Sequence, residues 1–243
     1  MSSGVVAKVS GGAAGYKTIA LEGSIGSGKS TLLRLATEAL GGEGSVEGLV
    51  EPVGAWKDVG GHNLLQQFYE DPSRWAYTFQ SYAFVSRLML QAKTPVTAPV
   101  RLMERSAFSD KHVFATNAHE SGLMSDAEWA VYNEIWDFYT TVTPGRPDAF
   151  VYLRTSAQTC FERMKRRARV EEQEVPLEYL EAIHDRHDAW FGIEPSSEYV
   201  DLGVQVTEDG IPFIVLEGEV DFEQDEGARR VMIEAIASLV ETL

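Results

Sequence analysis

One cysteine, Cys160, stands in 243 residues, so no intrachain disulfide can form. A single thiol in a helical stretch reads as a small buried apolar residue rather than a nucleophile. Basic residues are scarce: 21 Lys and Arg face 37 Asp and Glu, for a formal net charge of −16. Such a surface repels nucleic-acid polymers and anionic membranes, so neither is expected as a partner. Any anionic substrate must then be met by a local basic cluster. No apolar run approaches the roughly 18 residues of a membrane span. The first 15 residues hold one lysine and no arginine, which argues against a transit or signal peptide and gives the expectation of a cytoplasmic protein. Internal repeats and low-complexity linkers are also missing. With 44% hydrophobic residues, the chain reads as one domain over residues 16–243. A small, Gly-rich tail over residues 1–15 is expected to be disordered.

What is present is a phosphate-binding loop. Gly23-Ser24-Ile25-Gly26-Ser27-Gly28-Lys29-Ser30, followed by Thr31, fits the pattern G-x-x-x-x-G-K-[ST]. The apolar run Tyr16–Leu21 before it reads as a buried strand, and Thr31–Ala36 after it as a helix start. Glycines let backbone N–H groups turn inward around an anion, and the helix N-terminus adds positive partial charge. Lys29 is placed to reach the β- and γ-phosphates, and the Ser30 hydroxyl to ligate Mg²⁺.

The rest of the chain alternates strand and helix, which predicts a mostly parallel sheet. Strands are expected at Gly48–Glu51, Val100–Glu104, Asp148–Arg154 and Pro212–Leu216. Helices are expected at 63–69, 72–91, 125–143, 155–168, 176–191 and 227–243, and a polar loop at Gln205–Gly210. Parallel sheets bind ligands at the carboxyl ends of their strands. Here those ends carry the phosphate loop, Glu51 with Trp56 nearby, and Glu104-Arg105-Ser106. A carboxylate beside bound phosphates can take a proton from an attacking hydroxyl, and an arginine can offset charge on the transferring group. Arg163, Lys165, Arg166, Arg167 and Arg169 form the only dense basic cluster in this acidic chain. An arginine lid over a nucleotide fits phosphoryl transfer, because closure excludes water and supplies charge.

From about Thr18 to about Phe222 the chain resembles the deoxyribonucleoside kinases, in particular the deoxycytidine and deoxyguanosine kinase branch. The resemblance is carried by Gly23–Thr31, Glu51-Pro52-Val53 with Trp56, Phe68–Pro72 with Arg74-Trp75, and Phe79-Gln80-Ser81-Tyr82. Glu104-Arg105-Ser106 with Ser109-Asp110, Arg167-Ala168-Arg169 with Glu171-Glu172, and Pro176–Leu180 with His187 and Trp190 extend it. It implies an α/β, P-loop kinase fold with a five-stranded parallel sheet, a homodimer, ATP and Mg²⁺, and transfer to a deoxynucleoside 5′-hydroxyl. It further implies Glu51 as general base, Arg105 as the group holding that base, and Glu104 as the Mg²⁺ partner alongside Ser30. Tyr69 and Glu172 would bind the sugar and Gln80 the base edge, while Trp56 and Phe84, with Phe108, would wall the base. Arg163, Arg167 and Arg169 would act as lid residues, and Asp221-Phe222 would receive the donor's base.

Ala83, Arg87 and Asp110 fall where this family tunes its base pocket. An arginine and a carboxylate there resemble the deoxycytidine/deoxyguanosine branch and should disfavour thymidine. Thymine presents a carbonyl oxygen and a methyl group, whereas cytosine and adenine offer an amino donor. A nucleoside monophosphate kinase is the rival enzyme reading. It would need a second phosphate cluster at the acceptor site, where Tyr69 and Gln80 are uncharged. A catalytically silent relative that keeps the fold for assembly is the rival outside enzymes, against which stand Lys29, Glu51, Arg105 and the lid arginines.

Overall fold

A computed structural model describes residues 15–143, 145–194 and 203–243. All of the expected tail except residue 15 lies outside them. Strands β1 (Lys17–Glu22), β2 (Val46–Leu49), β3 (Val100–Glu104) and β4 (Ala149–Arg154) form one sheet with β5 (Gln205–Val206) and β6 (Pro212–Glu217). Its order is β2-β3-β1-β4-β6-β5. Five strands run parallel, and β5 pairs antiparallel to β6 at the edge. The expected five-stranded sheet therefore needs a correction to six. The sixth strand comes from the stretch read as a polar loop. Two exposed residues are too few to show the alternation that marks a strand.

Successive side chains of a strand point to opposite faces, and both faces here are covered. Ile19, Leu21, Leu102, Val151, Leu153, Ile214 and Leu216 pack against α1 (Lys29–Leu40) and α10 (Glu226–Thr242). Ala20, Met103, Phe150, Tyr152, Phe213 and Val215 face the other way. They join a larger core with α4 (Pro72–Lys93) and α7 (Asp126–Val142). Short helices α2 (Val53–Lys57) and α3 (Leu64–Glu70) precede α4. After β3 come α5 (Ala107–Ser109), a π-helical turn at Asp110–Ala115 and α6 (Thr116–Glu120). After β4 come α8 (Ala157–Arg167), a 3₁₀ turn at Val170–Glu172 and α9 (Leu177–Trp190).

Local chemistry sets the element ends. The Asp71 carboxylate accepts the Arg74 N–H at 3.2 Å, and Pro72 occupies the first turn of α4. Ser125 and Glu128 close a reciprocal capping box on α7. α8 stops where Ala168 turns left-handed (φ 54°), and the arginine-bearing segment begins there. Among the described residues no helix is long and apolar enough to cross a membrane.

Candidate active site

β1 delivers the phosphate loop at its carboxyl end. The loop is packed so closely that a Cβ on any of its three glycines would meet a neighbour at under 3.0 Å. A Cβ on Gly26 would meet the Cys160 carbonyl oxygen at 2.3 Å, and one on Gly28 (φ 105°) would meet the Phe222 ring at 2.9 Å. Cys160 is thus a buried support of the loop, as its lone occurrence suggested, and burial pushes its thiol up to about 11. Lys29 opens α1. Its ammonium donates to the Ser24 carbonyl at 2.7 Å and to the Ser27 hydroxyl at 3.4 Å. Burial, followed by the charge of Arg105, pulls this amine down to about 7. The Ser30 hydroxyl donates to Glu104 Oε1 at 2.7 Å, which joins the start of α1 to the end of β3.

Arg105, the residue after β3, has φ 64°. A non-glycine residue in that region costs on the order of 1–3 kcal/mol. Three contacts hold it there. Its N–H donates to the Leu21 carbonyl at 3.0 Å, its Nε lies 3.3 Å from Glu51 Oε1, and its guanidinium stands 4.6 Å from the Phe114 ring centre. The same Glu51 oxygen accepts from Arg87 Nη2 at 2.9 Å. Burial pushes the Glu51 carboxyl up, but Arg87, Arg105 and Lys29 together outweigh it and hold it below the usual carboxylate range. Arg87 is fully engaged. It also grips Asp110 through Nε and Nη2 (2.9 and 3.1 Å) and donates to the Glu104 carbonyl at 3.1 Å.

Glu22, the last residue of β1, is completely buried, and its Oε1 accepts from Ser106 Oγ at 2.6 Å. Burial pushes its carboxyl up to about 7. Nothing in the sequence reading singled it out. Its only signal was a lone acid between an apolar strand and a glycine loop.

On the lid side, Glu172 is buried and accepts from Arg167 Nη2 at 2.7 Å and Arg169 Nη1 at 3.2 Å. Arg163 behaves differently. Its guanidinium donates to the carbonyls of Ser27, Gly218, Glu219 and Val220. It pins the segment before Asp221-Phe222 to the phosphate loop, rather than riding on a mobile flap.

Two cavities meet in this region. One, about 650 Å³ with its solvent-filled mouth included, is walled by Trp56, Phe68, Tyr69, Phe79, Phe114 and Tyr179, with Gln80, Glu51, Arg87, Asp110 and Glu172 among its polar groups. The other, about 1130 Å³, is lined by Gly28, Ser30, Thr31, Arg163, Arg166, Asp221 and Phe222 among others. Both are lined by Gly26, Lys29, Glu104, Arg167 and Arg169.

Ile25 of the loop lines the first cavity, while Ser24 and Ser27 are buried beside Lys29. A Cβ on Gly23 would lie 2.6 Å from the Leu153 carbonyl, so Gly23 marks close passage over β4. Two expected wall residues are corrections. Phe84 is fully buried in the core against Tyr132 and Tyr139. At 100° per residue, the arc of α4 that lines the cavity runs through Phe79, Ala83, Arg87 and Gln80, and Phe84 falls beyond its edge toward α7. Phe108 packs on Trp136 and Phe150, and Phe114 takes the place at the wall. The sequence alone assigns no role to Phe79, Phe114, Tyr179 or Arg166. Phe79 and Tyr179 lie within segments that carry the family resemblance and Arg166 within the basic cluster, but Phe114 sits in a helical stretch without a clear pattern.

The model of the deoxynucleoside kinase family matches residues 19–241. The chain belongs to that family. It is 37% identical over 248 residues to deoxycytidine kinase 2 of Gallus gallus, covering 92% of this chain and 90% of the relative. With the probable deoxycytidine kinase of fowlpox virus it shares 36% over 233 residues, 94% and 90% of the two chains. With human mitochondrial thymidine kinase 2 it shares 44% over 173 residues, 71% of this chain and 63% of the relative. The P-loop kinase fold that the resemblance implied is the fold of this family, and the enzyme is a deoxynucleoside kinase that uses ATP as phosphate donor.

Proposed function

We propose that the aromatic-walled cavity holds the deoxynucleoside, that the cavity over the phosphate loop holds ATP, and that the γ-phosphoryl group crosses where the two meet. The shared lining of Gly26, Lys29, Glu104, Arg167 and Arg169 carries this reading. It sets an apolar chamber against an anion cradle, with both cations and a carboxylate at the junction.

In this reading the base lies among Trp56, Phe79 and Phe114 with Gln80 at its edge, and the sugar meets Tyr69 and Glu172. The 5′-hydroxyl faces Glu51, whose Oε1 is occupied by two guanidiniums and whose Oε2 is left for the substrate proton. O5′ bonds to the γ-phosphorus, the bond to the ADP oxygen breaks, and the proton passes to Glu51. Glu51 is ionised at neutral pH because of its cations, so it is always ready to accept but is a weak base. That suits a loose transition state, where orientation and charge matter more than proton affinity. Lys29, Arg167 and Arg169 offset charge on the transferring group. Mg²⁺ fits the Ser30 hydroxyl and Glu104 carboxylate, two hard oxygen donors 2.7 Å apart at the cavity junction. When bound it neutralises charge between the β- and γ-phosphates.

The preference for deoxycytidine or purine deoxynucleosides over thymidine rests on the buried Arg87–Asp110 pair in the acceptor wall. Each Asp110 oxygen accepts one bond from Arg87 and retains capacity for an amino donor. The names of the chicken and fowlpox relatives lean the same way. A homodimer through α4 and α7 is also part of the proposal, because Met89, Val131 and Phe138 leave an apolar face there exposed. A nucleoside monophosphate kinase is disfavoured: Arg87, a cation of the acceptor cavity, is committed to Glu51 and Asp110.

The test is a panel of four deoxynucleosides with ATP and Mg²⁺, read as kcat/KM, with deoxycytidine monophosphate as an added acceptor. We expect thymidine to be the poorest nucleoside. A flat profile would sink the base preference, and faster turnover of the monophosphate would sink the acceptor assignment. ATP binding with no turnover would point to a silent relative.

A further inference from the structure

Two adjacent carboxylates in the 3₁₀ turn after α8 face different partners. Glu172 is held by Arg167 and Arg169 at the cavity. Glu171 reaches across to the helices on the acceptor side. Its Oε2 accepts from Lys57 Nζ at 2.8 Å and its Oε1 from Asn63 Nδ2 at 3.0 Å. Lys57 ends α2, the helix that carries Trp56. Asn63 caps α3, the helix that carries Leu65, Phe68 and Tyr69, and its Oδ1 accepts the Gln66 N–H at 3.0 Å. That cap fixes the amide orientation and aims Nδ2 at Glu171. One carboxylate therefore ties the arginine-bearing segment to both short helices of the acceptor wall. The Glu171 side chain is 8% exposed, and with both oxygens engaged its carboxyl is held down at about 2 against the cost of burial.

We propose that Glu171 is a positioning residue, a latch that seats the arginine segment on α2 and α3 so that the acceptor cavity and the donor-facing Arg167 and Arg169 are assembled together. The inference rests on the two-cavity reading above. Glu171 touches neither substrate. It acts through its neighbour Glu172, and through Glu172 on the two arginines. Filling the acceptor cavity firms the wall to which the latch is fastened, so bound deoxynucleoside favours the closed arginine segment. The enzyme then assembles its donor-side charge most fully when an acceptor is present to receive the phosphoryl group.

The experiment uses the whole protein and four variants: Glu171→Ala, Lys57→Glu, the swap Lys57→Glu with Glu171→Lys, and Asn63→Asp. Asn63→Asp keeps an oxygen to cap α3 but sets a carboxylate against Glu171. Two readouts are taken, both on variants with unchanged far-UV circular dichroism. Steady-state kinetics separate KM for the nucleoside from kcat. Limited trypsin digestion reports cleavage at Lys165, Arg166, Arg167 and Arg169, with and without deoxynucleoside and with no ATP present. Glu171→Ala and Asn63→Asp should raise nucleoside KM about 10-fold, the scale of one lost charge-assisted bond, and lower kcat several-fold. They should also speed trypsin cleavage of the segment, and deoxynucleoside should protect the wild type but not these variants. The swap restores the ion pair between positions 57 and 171 but not the bond from Asn63 Nδ2, so it should recover only part of what Lys57→Glu loses. Unchanged cleavage and unchanged nucleoside KM in Glu171→Ala would overturn the latch. If the wild type phosphorylates no deoxynucleoside, the functional reading fails by itself, while digestion of the free protein still decides whether Glu171 holds the segment.

Discussion

At the residue scale, the site depends on a few charges kept out of water and made to share partners. Glu51 keeps its charge because Arg87 and Arg105 both bind one of its oxygens. Glu51→Gln preserves shape but removes the proton acceptor and leaves two buried guanidiniums short of a counter-charge. A positioned base contributes about 10² to 10⁴ in rate. We expect kcat to fall by at least 10² while nucleoside binding, measured by titration, changes little. A variant keeping a third of wild-type kcat would remove Glu51 from the base role. Glu22 has the opposite balance. Its carboxyl is raised from 4.5 to about 7, so the fold favours its neutral form. That contribution is fully present below about pH 4.5 and is lost as pH rises through about 7. The shift corresponds to on the order of 3 kcal/mol. Glu22→Gln keeps an acceptor for Ser106 and cannot ionise. Urea unfolding should therefore show Glu22→Gln gaining stability relative to wild type as pH rises from 5 to 7.5. A difference that stays constant with pH would show that Glu22 does not titrate in this range. Glu22 escaped sequence reading because burial, not spacing, makes it unusual. Lys29, Ser30 and Glu104 were legible because the loop motif and the strand end fix their places directly.

At the element scale, legibility followed the strength of the local pattern. The long helices carry caps, as at Asp71 and Ser125, and β1, β3, β4 and β6 are largely apolar runs found within a residue of their expected places. But β2 lies at Val46–Leu49, two residues before the expected Gly48–Glu51, so Glu51 follows the strand rather than ending it. The stretch from Ala107 to Glu120 carries no clear pattern. It folds as a short helix, a π turn and another short helix, and the wider turn brings both Asp110 and Phe114 to the cavity. A π turn shifts the phase of every later side chain, so no 3.6-residue count could have exchanged Phe108 for Phe114. The same turn sets Asp110 against Arg87 of α4, and this pairing bears on base choice. Arg87→Met with Asp110→Ala removes both charges together and avoids leaving one buried alone, which would cost more. A carboxylate facing the thymine carbonyl leaves an unmet buried acceptor worth about 1–3 kcal/mol. Recovering about 1.4 kcal/mol of it raises thymidine kcat/KM roughly 10-fold relative to deoxycytidine. Because Arg87 also binds Glu51, absolute rates should fall on every substrate, and the ratio is the quantity to measure. An unchanged ratio would reduce the pair to a structural bridge.

At the scale of the whole molecule, a chain of net charge −16 must bring anionic ATP to its surface and, in our proposal, a second copy of itself. The basic cluster of α8 and the turn after it answers the first need locally. The second must overcome repulsion between two like-charged bodies, so the contact has to be apolar. The face of α4 and α7 qualifies: Phe138 is 61% exposed, and Val131 and Met89 are close to half exposed. A twofold interface uses each residue twice. Fully burying a phenylalanine is worth about 1.5–3 kcal/mol and Phe138 has about three-fifths of its surface left to bury, so Phe138→Glu should cost roughly 2–4 kcal/mol per dimer and raise the dimer Kd by about 10 to 10³. Screening shortens the reach of the repulsion to about 8 Å at 0.15 M salt. The wild-type dimer should therefore tighten, not loosen, as salt is raised from 0.02 to 0.3 M, the reverse of an interface built on ion pairs. Sedimentation velocity of wild type and Phe138→Glu across that range reads both effects. Both cavities are lined within one chain, so the monomeric variant should keep the wild-type order of preference among the four deoxynucleosides. A wild type that sediments as a monomer at tens of micromolar in high salt would leave this face without a second copy to cover it.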